Sequence, residues 1–353
     1  VMLSTRAALG LWTKLFFCLT LVVAPIAAGA ADSAKMQVLQ RWKLGGEGGW
    51  DYLLADPAKE RVFISRGTRV DVMSSESGKL IGFIPDTQGV HGIALAPGLK
   101  RGYTSNGRAN SVTVFDLDTL KVIQEAKIPG RNPDAILYEP AAKHVFTFNG
   151  ASKDVTVLDG SSLGVVATIP VPDKPEFAAD DGRGRIFVNI ESEPGQIAVI
   201  DSAKLAVKSI WPLPGCNSPS GLAIDNAHHR LFSVCDGKVM AVTDSVSGKQ
   251  VALVPIGEHP DAAAYDEKRA IVYSSNGEGT LSVIHQDSAD RYSIADTVAT
   301  QRGARTMALD GKTGKVYLVT ADFGPAPAAT AAQPHPRPAP IPDSFVVLVV
   351  GKP

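Results

Sequence analysis

One aromatic residue recurs seven times in the same local context, and this recurrence restricts the fold more than any other feature of the chain. Phe63, Tyr103, Phe146, Phe187, Phe232, Tyr273 and Tyr317 stand 40, 43, 41, 45, 41 and 44 residues apart. Seven residues before them stand Asp56, Ala96, Glu139, Asp180, Asp225, Asp266 and Asp310, acidic in six of the seven. A period of roughly 20–50 residues marks a repeat architecture in which each unit is one supersecondary motif.

Each unit follows one grammar. A short apolar run such as Gly92-Ile93-Ala94-Leu95 leads into a turn. The aromatic run follows, as in Arg101-Gly102-Tyr103-Thr104-Ser105, and then an Asn-Gly turn at Asn106-Gly107, Asn149-Gly150 or Asn276-Gly277. An alternating run comes next, Ser111-Val112-Thr113-Val114-Phe115-Asp116, and a fourth run starts near Lys121. Alternation bounded by Asn-Gly turns signals strands and hairpins, and no stretch of residues 31–353 sustains a helical period. The 33 Gly and 24 Pro suit such a turn-rich chain. Four strands per unit, seven times over, predict an all-β fold, a single seven-bladed β-propeller over residues 31–353. The last unit lacks a fourth strand, and Met36–Trp42 has no unit of its own. That segment is therefore expected as the outer strand of the seventh blade, closing the ring and covering an edge.

The runs Tyr103-Thr104-Ser105-Asn106, Phe146-Thr147-Phe148-Asn149 and Tyr273-Ser274-Ser275-Asn276, with the Pro-Asp turns at Pro133-Asp134 and Pro260-Asp261, resemble the pattern of the YVTN β-propeller-repeat family. The resemblance covers residues 36–350 and implies an exported YncE-like protein. Arg66, Ile190, Cys235 and Thr320 depart from the Asn of that pattern. Members serve as binding, surface and enzymatic propellers, so the resemblance implies a fold and no single activity. Residues 324–343, rich in Pro and Ala, interrupt the last blade and are expected as a flexible insertion, either tolerated or acting as a lid or docking arm.

Residues 1–30 read as a signal peptide. Arg6 and Lys14 precede the apolar stretch Leu15–Ile26, and Ala28-Gly29-Ala30 supplies small residues for cleavage. The chain is therefore expected to be periplasmic or secreted, with no membrane span after cleavage. A net charge of −1 without basic runs argues against nucleic acid as a partner. Cys216 and Cys235, in an oxidising compartment, are expected to form a disulfide. No Cys-x-x-Cys-His motif supports haem, and neither a phosphate-binding loop nor a dinucleotide fingerprint supports a nucleotide.

Candidate chemistry lies at the mouth of the channel. Twelve residues before the aromatics stand Asp51, His91, Asp134, Ser220, Asp261 and Arg305, and a one-residue slip in the fourth unit adds Glu176. Trp50 would form an aromatic wall, and Arg305 is expected to pair with Asp51 across the junction of blades seven and one. Converging carboxylates should raise some pKa values unless a cation compensates. Asp51, His91, Asp134, Glu176 and Asp261 are the candidate ligands of a divalent cation. The leading reading is a non-enzymatic binding or scaffold module that offers this upper face to a small molecule, metal ion or protein. A metal-assisted hydrolase of the lactonase-propeller type, a surface or adhesive protein, and a plain hydrated channel are the alternatives.

Overall fold

The recurrent aromatics are the wedges between sheets. In a computed structural model of the chain, which describes residues 1–2, 35–328, 336 and 338–353, all seven are buried to 2% exposure or less. The expected leader, apart from its first two residues, and residues 329–335 and 337 of the expected insertion lie outside the described residues. Residues 35–353 form seven four-stranded antiparallel sheets. The inner strands of successive blades pack on one another, and the first blade's meets the seventh's, so the sheets form a ring. This is a seven-bladed β-propeller; its one short helical element among the described residues is a 3-10 turn at Pro97–Leu99.

The wedges act between neighbours. Phe63 of blade one lies 5.9 Å from Phe115 of blade two, and Tyr103 lies 6.1 Å from Tyr138 of blade three. The Tyr103 hydroxyl donates to Gly160 O at 2.6 Å, so a buried polar tip also finds its partner in the next blade. The acids seven residues upstream close the turns between first and second strands. Asp225 accepts from the amides of Ala227 and His228, Glu139 from Ala141 and Ala142, and Asp310 from Lys312 and Thr313. Where Ala96 replaces the acid, the 3-10 turn closes itself through Lys100 N to Pro97 O.

The Thr/Ser-x-Asn pattern is equally structural. Asn106 Oδ1 accepts from Thr104 Oγ1, while its Nδ2 donates to Ser111 and Thr113 across the hairpin; Asn149 and Asn276 repeat the arrangement. Each departure substitutes another tie. Arg66 donates to Gly45 O and Glu47 O, Thr320 Oγ1 donates to Arg302 O, Cys235 is bonded to Cys216, and Ile190 joins the apolar core.

The ring is closed without a covalent bond. Gln37–Lys43 pairs antiparallel with Val346–Gly351, giving the last sheet its fourth strand. Trp42 of this strand lies 5.7 Å from Tyr317, the rings tilted, and covers Gly78 of blade one, whose φ is +68°. A Cβ at Gly78 would lie 2.4 Å from the indole, so only glycine admits this contact. At the base of the insertion, Phe323 bridges Pro340, and Ile341 N donates to Asp322 O at 2.7 Å. Among the described residues no helix is long and apolar enough to cross a membrane.

Two outcomes follow from this architecture. Removal of residues 36–43 should lower the unfolding free energy by several kcal/mol, because it strips the outer face of blade seven and uncovers Gly78. An unfolding midpoint equal to that of the full ring would contradict this. The Cys216–Cys235 bond, with a Cα separation of 5.4 Å, closes a 19-residue separation. Peptide mapping of the native protein should recover the linked pair, and reduction should cost on the order of 3 kcal/mol.

Candidate functional site

The mouth is built by irregularities in the inner strands. Five of the seven shift register at the top: between Val90 and Ile93, Pro133 and Ile136, Pro175 and Ala178, Pro219 and Leu222, and Pro260 and Ala262. His91, Asp134, Glu176, Ser220 and Asp261 sit within these shifts. Such bulges bend a strand and redirect a side chain. Glu176 is level with the others because the turn between the first two strands of blade four is one residue shorter: Ala179 faces Phe187, whereas Leu137 faces Phe146. Asp51 and Arg305 lie just before the inner strands Leu53–Asp56 and Met307–Asp310.

Second strands hold the bulges in place. Ser105 of blade two donates to the carbonyl of Asp134 in blade three, Asn189 of blade four to Ser220 O at 2.9 Å, and Ser275 of blade six to Arg305 O. Blades two, four and six thus each orient the mouth residue of the next blade.

Three groups of side chains result. His91 Nδ1 lies 2.5 Å from Asp51 Oδ2 and 3.7 Å from Asp134 Oδ1. Ligand atoms of these three residues all lie within 4.8 Å of one another. In the second group, Ser220 Oγ donates to Asp261 Oδ1 at 2.9 Å, and Arg305 Nε lies 3.3 Å from Asp261 Oδ2. The expected pairing of Arg305 with Asp51 is thus corrected. Both acids neighbour Arg305 round the ring, but Asp51 is engaged by His91. In the third group, Lys174 is paired with Glu176 at 2.8 Å and with Glu191.

Beneath these groups the axis is closed. Tyr52 of blade one lies 5.3 Å from Phe177 of blade four. In a ring of seven, three steps round is as far as two blades can be, so this contact crosses the channel and floors the mouth as a cup. The repeat register points to neither residue, although each directly follows a candidate that it does give, Asp51 and Glu176. Lys174, Glu191, Arg108 and Asn132 were also missed, because they belong to loops that the repeat register does not address.

Beside the cup, between blades one and three, a pocket of about 300 Å³ opens on the upper face. Trp50, Asp51, His91, Arg108 and Asn132 line it, together with three glycines. Trp50 is fixed by Phe345, at 5.2 Å, and Phe323, at 6.1 Å.

Burial in the cup works against charge. It pushes Asp134 up to about 6, with Asp51 adding repulsion that His91 partly offsets. Burial also raises Glu176, and Asp134 repels it further. Asp261 is pushed up to about 6 by burial, against the pull of Arg305. For His91, burial favours the neutral ring, but the Asp51 hydrogen bond and the Asp134 charge outweigh it and the net pKa is raised. Lys174 is likewise raised: burial opposes its charge, and Glu176 and Glu191 prevail. The cup is short of positive charge.

Asp261 gives a clean test. An acid raised on folding holds its proton in the folded state when the unfolded chain has lost it, so its stabilisation is full below about pH 4 and is lost as pH rises through about 6. Asp261→Asn lacks this loss. Its melting temperature relative to the unsubstituted protein should rise by roughly 5 °C between pH 4 and 7 and then level off. A difference that stays constant with pH would contradict the raised value.

No family model matches the chain, and no curated protein matches it. Among solved structures it is similar to hydrazine synthase from Kuenenia stuttgartiensis, with 17% identity and a TM-score of 0.68 over 76% of this chain and 92% of that one. It is also similar to U3-55K, with 11% identity and a TM-score of 0.72 over 89% of this chain and 98% of that one. At these identities the likeness supports the β-propeller fold and carries no activity across.

Proposed function

We propose that the chain is an exported, YncE-like propeller of the YVTN type whose cup binds a divalent transition cation, with Asp51, His91 and Asp134 as ligands. The observation that carries this reading is the approach of three donor groups from three different blades to within 4.8 Å. An imidazole with two carboxylates suits zinc or another first-row ion better than calcium, which prefers an all-oxygen shell. A cation placed there would also relieve the repulsion among the buried acids of the cup. Glu176 and Asp261 lie beyond this triad and would shape its field rather than ligate. The buried disulfide agrees with an oxidising, periplasmic or extracellular setting.

One observation favours a second reading, hydrolysis by a metal-activated water. Three protein ligands leave coordination positions free, as catalytic zinc sites do, and the pocket opens beside Asp51 and His91.

Dialysis of the full chain against zinc, followed by elemental analysis, tests the proposal. About one equivalent is expected. Loss of a group that only orients a metal ligand costs about 10–100-fold in affinity, so His91→Ala and Asp134→Ala should each cost at least that much. Uptake unchanged by both substitutions would overturn the assignment. Lactone turnover by the loaded protein, abolished in Asp134→Ala, would favour the hydrolase.

A further inference from the structure

Arg108 is not used by the cation site, yet it stands on the same pocket. It is exposed, lies on the turn after the second strand of blade two, and among the described residues forms no ion pair. Its position is held by backbone rather than by a charge partner. Gly89 has φ +70° and packs so closely that a Cβ there would fall 2.6 Å from Arg108 Cβ and 2.7 Å from its amide nitrogen. Trp50 and Asn132 line the same pocket. Asp51 and His91 form the inner end. The pocket thus gathers an arginine, a tryptophan and two members of the proposed triad round one space of about 300 Å³, the small end of ligand sites.

We infer that this pocket binds a small carboxylate that completes the coordination of the cation with one oxygen, is gripped by the Arg108 fork, and lays its apolar part on Trp50. The inference rests on the cation reading given above. Without a cation the carboxylates of the cup repel an anion; with one, the inner end of the pocket changes sign. The order of binding is therefore cation first, carboxylate second. Arginine matches the planar geometry of a carboxylate with two parallel hydrogen bonds, which a lysine cannot reproduce. Because the coupling is reciprocal, the carboxylate raises affinity for the cation by the same factor as the cation raises affinity for the carboxylate.

Benzoate is a suitable probe, since it chelates zinc weakly in water and carries one apolar ring. Calorimetric titration of benzoate into the zinc-loaded full chain should show binding that is at least about tenfold weaker in the metal-free protein and about tenfold weaker in zinc-loaded Arg108→Met. Arg108→Lys should fall between. Zinc affinity measured without benzoate should be the same in Arg108→Met and the unsubstituted protein, because Arg108 is exposed and outside the triad. Inorganic phosphate, with no apolar part for Trp50, should bind more weakly than benzoate. Equal benzoate binding with and without zinc, or with and without Arg108, would overturn the inference, and so would tighter binding of phosphate. A chain that takes up zinc but ignores benzoate refutes this inference alone, whereas one that takes up no zinc refutes the cation reading with it.

Discussion

Seven sheets packed round an axis pack face to face with their two neighbours, so stability must be renewed at every junction, and the buried aromatic of each second strand is what renews it. The same geometry has an unavoidable consequence at the centre. The tops of the inner strands converge, and whatever they carry is brought together from positions that are 40 or more residues apart in sequence. Asp51, His91 and Asp134 come from three successive blades and meet with ligand atoms within 4.8 Å of one another. Chemistry at the mouth is thus a product of the ring, and the register of the strands decides which residues take part.

That register explains how much could be read in advance. The period of the aromatics, the position of the strands and the closing role of Met36–Trp42 follow from alternation and turn chemistry, which are local properties of the chain. Position twelve also has a structural basis, because it falls on the bulge at the top of four inner strands, and in a fifth the bulge holds the adjacent residue, Glu176. What was not legible depends on distances across the ring. Nothing in the repeat shows that Tyr52 reaches Phe177 over the axis, or that Arg305 turns toward Asp261 rather than Asp51. Lys174 and Arg108 lie on connecting loops, where the repeat imposes no residue type.

The cup and the hairpins treat polar residues in opposite ways. At the hairpins, Asn106, Asn149 and Asn276 are fully buried, and their amide groups are bonded on both sides. They are neutral, so burial costs little once these partners are in place. In the cup, acids are buried with fewer compensating cations, and their raised pKa values record the difference. Satisfied polar groups mark the parts of the ring that hold its shape. Unsatisfied charge marks the part that is prepared to interact.

The clasp of Gln37–Lys43 on Val346–Gly351 has a consequence for how the ring comes into being. These strands lie more than three hundred residues apart, which makes theirs the longest-range pairing among the described strands. Six blades are complete hairpin sheets built from contiguous sequence and can form as their own residues become available. The seventh remains three-stranded until the two distant segments meet. The entropy of closing so long a loop grows only with the logarithm of its length, and blades already stacked in an arc shorten the gap further. Assembly would then proceed along the chain and end in one late docking event, with the first strand of the sequence serving as the final piece of the circle.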